Sequence, residues 1–119
     1  MKSYETYQEN SITTQSQGRI VVMLYEGAIK FLKRAIIEIQ AEDFEAKSKY
    51  LLKAEDIINE LNTVLDMEAG GEIATNLRAL YMFMIRQIHE ANTKNDTQKL
   101  EEVIKLLDEL NQSWKAISV

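Results

Sequence analysis

Apolar residues recur at three- and four-residue intervals along most of the chain, which is the spacing of α-helices that bury one face. Short polar or glycine-containing stretches divide this pattern into four segments. The segments predict helices over residues 17–41, 43–66, 72–92 and 96–117. Because the connections have only about two to five residues, neighbouring helices should be antiparallel. We therefore expect an all-α protein, an antiparallel up-down four-helix bundle formed by residues 17–119.

Polar residues and glycines set the predicted helix boundaries. Asp43 and Asp96 are suited to cap the second and fourth helices. Gly70 and Gly71 precede the third helix, and paired glycines supply the positive φ that ends a helix. Residues 1–16 have no clear period, so we predict an N-terminal arm that can form one short extra helix.

The first predicted helix is apolar over more of its circumference than a bundle needs. Its apolar residues sweep roughly 200° of the helical wheel, whereas a surface helix needs about 100°. Met23 and Ile37 even fall on its charged, solvent-facing side. Two interpretations are open: the neighbouring helices and the arm cover this surface, or it receives an amphipathic or extended partner chain. Periodicity alone favours the first.

The third predicted helix also carries apolar residues away from its core face. That face includes Ile73 and other residues at helical spacing. Met82 lies on the opposite side, between Arg78 and Arg86, and Phe83 lies at the margin. Burying Met82 would bury an arginine with it, so we expect Met82 to be exposed.

Composition removes several classes of function. The chain of 119 residues fits one domain. It has no cysteine and one histidine, so thiolate and multi-histidine metal sites are excluded, and we expect no cofactor. A net charge of −5 disfavours nucleic acid as a partner. The longest apolar run, Ile20–Tyr25, is too short to span a bilayer, and no secretory signal is visible, so we expect a cytoplasmic protein without membrane insertion.

The few chemically suggestive residues have plainer interpretations. His89 is predicted to be exposed with Arg86 one turn before it, as in bundles that relay phosphate through a histidine. However, it lies near the C-terminal end of its helix, where the helix dipole opposes an added phosphate. Lys30, Lys33 and Arg34 form a small basic cluster, which we interpret as a solvated face on which Glu26 pairs with Lys30. A phosphotransfer or other signalling bundle using His89, and a structural bundle that dimerises, are the alternatives to a binding protein.

Specific strings of residues resemble a known family. The arm has Tyr7-Gln8 and Ser11, and the first helix has Met23-Leu24-Tyr25-Glu26-Gly27-Ala28. The second helix has Lys53-Ala54, Ile57-Ile58 and Leu61, and the string from Asp66 to Leu77 (DMEAGGEIATNL) leads from its end into the third helix. The third helix continues with Leu80-Tyr81 and Glu90-Ala91-Asn92, and Trp114 lies near the end of the fourth. In this colinear order they resemble the FliS family of flagellar secretion chaperones. The chain departs from the family pattern at Gln17, where proline is usual, and at Met82 and Phe83, where aspartate and tyrosine are frequent.

The resemblance implies a chaperone and not an enzyme, with no catalytic residue. Such proteins are helical bundles that bind the C-terminal segment of flagellin in the cytoplasm, hold it unpolymerised and help deliver it to the flagellar type III export gate. Together with the surplus apolar surface, the resemblance predicts the partner-binding residues Tyr7, Ile12, Ile20, Val22, Leu24, Tyr25, Gly27, Ala28, Ile29, Met82 and Phe83. Glycine inside a helix costs roughly 1 kcal/mol relative to alanine, so at Gly27 we expect close approach of another helix or of the partner backbone.

Overall fold

Four helices make up the computed structural model, which describes the backbone of residues 2–117 and the side chains of residues 18–116. They are α1 (Lys2–Gln40), α2 (Phe44–Thr63), α3 (Met67–Lys94) and α4 (Thr97–Ile117). Helices α1 and α3 each pack against both α2 and α4, so they lie diagonally across a four-cornered bundle. The predicted antiparallel four-helix bundle is confirmed.

Helix α1 begins earlier than the expected position 17, because its backbone is helical from Lys2. No glycine or proline occurs before Gly18, so no residue type in this segment ends a helix. The side chains of residues 1–17 lie outside the described part of the chain. The division into an arm of residues 1–16 and a bundle of residues 17–119 therefore stays a prediction.

The two predicted N-caps are confirmed. The Asp43 carboxylate accepts a hydrogen bond from the backbone N–H of Ala46 at 3.1 Å at the start of α2. The Asp96 carboxylate accepts from the N–H groups of Gln98 and Lys99, at 3.1 and 3.3 Å, at the start of α4. Each side chain satisfies donors that the first helical turn leaves without an internal partner.

Helix α3 starts before the glycine pair, not after it. Asp66 caps a first turn by accepting from the N–H of Ala69 at 2.9 Å, and that turn begins at Met67. The expected break occurs at Gly71, whose φ of 52° and ψ of −127° are non-helical. The glycine pair thus produces a kink inside α3, and the long segment of this helix runs from residue 72 to its C-terminus.

The core lies between the four helices along most of their described length. Met23 and Ile37 are exposed, as the helical wheel predicts, but Ile73 is 72% exposed and its expected core position is wrong. None of the described helices is long and apolar enough to cross a membrane. The buried apolar residues are Tyr25, Ala28, Leu32, Ala35, Ile39, Leu51, Ala54, Ile58, Leu61, Ala74, Tyr81, Met84, Ile88, Ala91, Leu100, Val103 and Leu107.

A buried lysine ties α2 to α3 at the end of the bundle where α3 stops. Lys47, in the first turn of α2, is 5% exposed. Its Nζ donates to the backbone carbonyl of Asn92 at 2.9 Å and to the side-chain oxygen of Asn95 at 2.7 Å. Asn95 ends α3 with a φ of 53°, a left-handed conformation that asparagine tolerates better than most residues. The carbonyl oxygen of Asn92 and the side-chain oxygen of Asn95 therefore both accept hydrogen bonds from the Lys47 ammonium group, which joins the start of α2 to the end of α3.

Candidate docking cleft

An apolar cleft of about 320 Å³ opens at the opposite end of the bundle, where α2 ends and α3 begins. All four helices contribute to it, and Asp66 is its only acidic residue. Sites for small ligands start at about this volume, so the cleft can hold a few apolar side chains of a partner. It is lined by Val21, Leu61, Val64, Leu65, Asp66, Ala69, Gly70, Ile73, Ala74, Leu77, Tyr81 and Trp114.

The glycine pair shapes one wall of this cleft. A Cβ atom added at Gly70 would lie 2.6 Å from the Cβ of Ala74, so only glycine allows this turn to fold against α3. At Gly71 the positive φ itself excludes most side chains. The local sequence therefore fixes the kink, and the kink places the first turn of α3 beside the cleft.

Large apolar side chains on the rim of the cleft are open to solvent. Val64 is 48% exposed and Ile73 is 72% exposed, and both line the cleft. Ile20, which precedes the lining residue Val21 in α1, is 49% exposed. Adjacent exposed apolar side chains around a concavity are typical of surfaces that bind a partner.

Tyrosine hydroxyls lie behind the apolar lining. The Tyr81 ring lines the cleft, and its hydroxyl forms a hydrogen bond of 2.5 Å with the hydroxyl of Tyr25. Burial raises the pKa of Tyr25, while hydrogen bonds with Tyr81 and Trp114 act in the opposite direction. Burial, then the bond to Tyr25, raises the pKa of Tyr81 well above its ordinary value. Both groups are therefore neutral at physiological pH.

Several residues predicted to bind the partner are part of the bundle interior. Tyr25 and Ala28 are fully buried, so their side chains are core and not surface. Gly27 faces α2, where an added Cβ would lie 3.2 Å from Cδ1 of Ile57. This distance supports the close approach of another helix as the reason for glycine. Half-buried positions are also found among the predicted residues, namely Val22, Leu24 and Ile29.

The other predicted residues do not form one surface. Met82 is 50% exposed, as expected, and Phe83 is 38% exposed, but neither lines the cleft. The side chains of Tyr7 and Ile12 lie outside the described residues. Of the predicted set, Ile20 and Val22 lie on either side of the cleft residue Val21 along the chain, and Met82 follows the cleft residue Tyr81. The assignment of these residues to partner binding stays a prediction.

Sequence reasoning missed the cleft residues Val64 and Ile73 because their spacing matches that of the core. A helical wheel shows which way a side chain points around the helix axis. It does not show whether a neighbouring helix extends far enough along the bundle to cover that side chain. Val64 directly follows the last residue of α2, and Ile73 lies two residues after the kink at Gly71. The glycine pair was the available signal, since it marks the place where the packing of α3 changes.

The histidine has an ordinary surface environment. His89 is exposed, and its Nε2 lies 2.7 Å from a carboxylate oxygen of Glu55. That carboxylate lies where a phosphoryl group would approach the ring nitrogen, and it would repel the phosphate charge. Within residues 18–116 no cluster of three or more acidic or histidine side chains could hold a metal ion.

A helical bundle with an apolar cleft at one end is suited to bind apolar protein segments. Comparison with known proteins identifies the family. The model of the family described as "Flagellar protein FliS" matches residues 1–119. The flagellar secretion chaperone FliS of Salmonella typhimurium is 44% identical, over 92% of this chain and 82% of that protein. Its namesake in Vibrio cholerae is 41% identical, over 97% and 88% of the two chains.

A third relative, the flagellar secretion chaperone FliS of Bacillus subtilis, is 38% identical over 94% of this chain and 83% of its own length. The chain belongs to the FliS family of flagellar secretion chaperones. This match confirms the resemblance inferred from the sequence. Members of this family are chaperones and not enzymes, so the phosphotransfer alternative is set aside.

Proposed function

We propose that this protein binds the C-terminal segment of flagellin in the cytoplasm, holds it unpolymerised and helps deliver it to the flagellar export gate. Membership of the FliS family supports the general role. The observation that supports a docking place is the apolar cleft with Val64 and Ile73 exposed on its rim. Solvent-exposed apolar side chains beside a concavity gain free energy when a partner covers them.

Energetics suit a reversible chaperone. Covering about 1,000 Å² of apolar surface contributes a gross ~25 kcal/mol at the usual coefficient. A flagellin segment that is disordered when free loses conformational entropy on binding, and this loss and the entropy of association offset most of that gain. The complex can therefore be specific and still release its cargo at the export gate.

The decisive experiment places a charge on the rim of the cleft. Ile73→Asp should reduce the affinity for a flagellin C-terminal peptide at least about tenfold, because a carboxylate is then desolvated against apolar side chains. Ile37→Asp is the matched control, since Ile37 is 52% exposed on α1 and does not line the cleft. Both changes are at exposed positions and should alter the free energy of unfolding by only about 0.5 kcal/mol.

Isothermal titration calorimetry of the wild type and both variants gives the affinities. Unchanged affinity for Ile73→Asp would show that flagellin does not use the cleft. If no variant and not even the wild type binds the peptide, the proposed cargo is wrong.

Met82→Asp asks whether the flagellin segment also crosses the outer face of α3. Met82 is half exposed, so this change too should leave stability within about 0.5 kcal/mol of wild type. A loss of affinity comparable to that of Ile73→Asp would extend the binding surface to this face. Wild-type affinity would exclude the outer face of α3 from the binding surface.

A further inference from the structure

Two aromatic rings in the seam between α1 and α2 are surrounded by cations. The rings of Phe31 and Tyr50 stack with centroids 6.1 Å apart and an angle of 24° between their planes. Lys30 and Lys53 place their Nζ atoms 5.9 and 5.4 Å from the centroid of Phe31. The guanidinium of Arg34 lies 5.1 Å from the centroid of Tyr50. We call these five residues the cationic–aromatic patch.

The lysines of this patch have no acidic partner among the side chains of residues 18–116. No carboxylate there lies within 4.0 Å of Lys30 or Lys53, although the protein carries a net charge of −5. The predicted pair of Glu26 with Lys30 is wrong, because Glu26 instead lies 3.2 Å from Lys115 of α4. Both lysines are exposed, so their ammonium groups are available to an external anion.

Arg34 is held in place from two sides. Its guanidinium donates to the hydroxyl of Tyr50 at 3.2 Å and lies 3.5 Å from the carboxylate of Glu38. Fixing a long side chain in advance reduces the entropy lost when it binds. The patch therefore offers one oriented cation and two adaptable ones over a half-buried apolar surface.

We propose that the cationic–aromatic patch binds an acidic segment of a second partner protein, at the same time as flagellin occupies the cleft. Carboxylates of an acidic segment can pair with the ammonium groups of Lys30 and Lys53 beside Phe31, and the rings provide apolar contact for a neighbouring side chain. Charge complementarity of this kind sets specificity and speeds association.

An acidic protein segment fits this patch better than a nucleic acid does. Three cations neutralise few phosphates, and the net charge of −5 repels a polyanion at long range. A short run of carboxylates meets the patch without bringing a long negatively charged chain against the rest of the surface.

The patch is separate from the cleft. Lys30 lies nine residues after the cleft residue Val21 in α1, which is about 14 Å along a helix axis. The two sites therefore do not compete for the same surface, and the patch extends the proposed function to a second partner.

The test uses two variants of equal net charge. Lys30→Glu/Lys53→Glu reverses the two lysines of the patch. Lys33→Glu/Lys105→Glu reverses two lysines that are also exposed but lie outside it, one on α1 and one on α4. The probe is a fluorescein-labelled helical peptide with glutamates on one face and leucines on the other. A matched peptide with glutamine in place of glutamate reports the part of binding that does not depend on charge.

We expect the patch variant to bind the acidic peptide about tenfold more weakly than the control variant, and the glutamine peptide to bind neither variant better than wild type. The acidic peptide should shift the ring proton signals of Phe31 and Tyr50 in wild-type NMR spectra. Affinity for the flagellin peptide should be the same in both variants, which separates this proposal from the cleft.

Four results would overturn the proposal. Equal binding of the acidic peptide by the two variants would show that only overall charge matters. Loss of flagellin binding in the patch variant alone would assign the patch to the flagellin surface. Tighter, patch-dependent binding of a single-stranded oligonucleotide, or self-association of the wild type that the patch variant loses, would assign it to nucleic acid or to a second copy of this chain.

Discussion

The hydroxyl groups of Tyr25 and Tyr81 meet 2.5 Å apart in the centre of the bundle and join α1 to α3, two helices whose backbones do not pack together. Both rings are almost completely buried, with exposed fractions of 0% and 1%. A buried hydroxyl without a partner costs free energy, so each tyrosine satisfies the other. The pair thus couples the diagonal helices directly behind the cleft.

Removing one hydroxyl of this pair should lower the free energy of unfolding by more than the net value of one hydrogen bond, because the other hydroxyl stays buried without a partner. Tyr25→Phe leaves the Tyr81 hydroxyl buried without its partner and should reduce the free energy of unfolding by about 1–3 kcal/mol. Tyr81→Phe leaves the Tyr25 hydroxyl without this partner in turn and should also reduce the free energy of unfolding by about 1–3 kcal/mol. Urea denaturation measures both values. The double variant should cost less than the sum of the single variants, and strict additivity would show that the two hydroxyls are not coupled.

The same pair predicts a loss of stability at high pH. The pKa values of both tyrosines are raised by burial, so the folded protein keeps their protons after the unfolded chain has released its own. Their contribution is therefore intact below pH about 10 and falls as the pH rises above it, by up to about 1.4 kcal/mol per pH unit for each tyrosine. Urea denaturation at pH 9 to 11 (about one unit on either side of the ordinary pKa) should show this slope.

Lysines also titrate in that range, so the slope needs a reference. Tyr25→Phe/Tyr81→Phe lacks both hydroxyls and keeps every lysine. If this variant loses stability with pH as steeply as wild type, the buried tyrosines are not responsible.

Gly27 should tolerate one added methyl group and no more. Gly27→Ala gains about 0.5–1 kcal/mol of helix propensity, and its Cβ meets only the movable end of Ile57 at 3.2 Å. We expect its free energy of unfolding to lie within about 1 kcal/mol of wild type. Gly27→Leu should cost about 1–3 kcal/mol, because it forces α1 and α2 apart. Thermal unfolding of both variants provides the measurement, and a fully stable Gly27→Leu would mean that α2 does not approach this position closely.

The architecture was readable from the sequence because its periodicity is strong and its caps are unambiguous. The side chains of Asp43 and Asp96 cap helices where expected. Met82 is exposed because the arginines on either side of it could not be buried. These are local features, and each depends on residues within about one turn of the same helix.

Features that depend on contacts between two helices could not be predicted from the sequence. Glu26 pairs with Lys115 on α4 because the fold brings them together, although Lys30 is at the favourable spacing on α1. Tyr25 is predicted to bind the partner, but the fold buries it completely in the core, where its hydroxyl meets that of Tyr81. The cleft arises where four helices lie together near the kink at Gly71, and no single helical wheel contains that information.

The buried ammonium of Lys47 makes the two ends of the bundle chemically different. By holding the carbonyl of Asn92 and the side chain of Asn95, it fixes the end of the bundle where α2 begins and α3 stops. The other end has the glycine kink and the apolar cleft, so one end of the bundle is joined by hydrogen bonds to a buried charge while the other presents an apolar concavity.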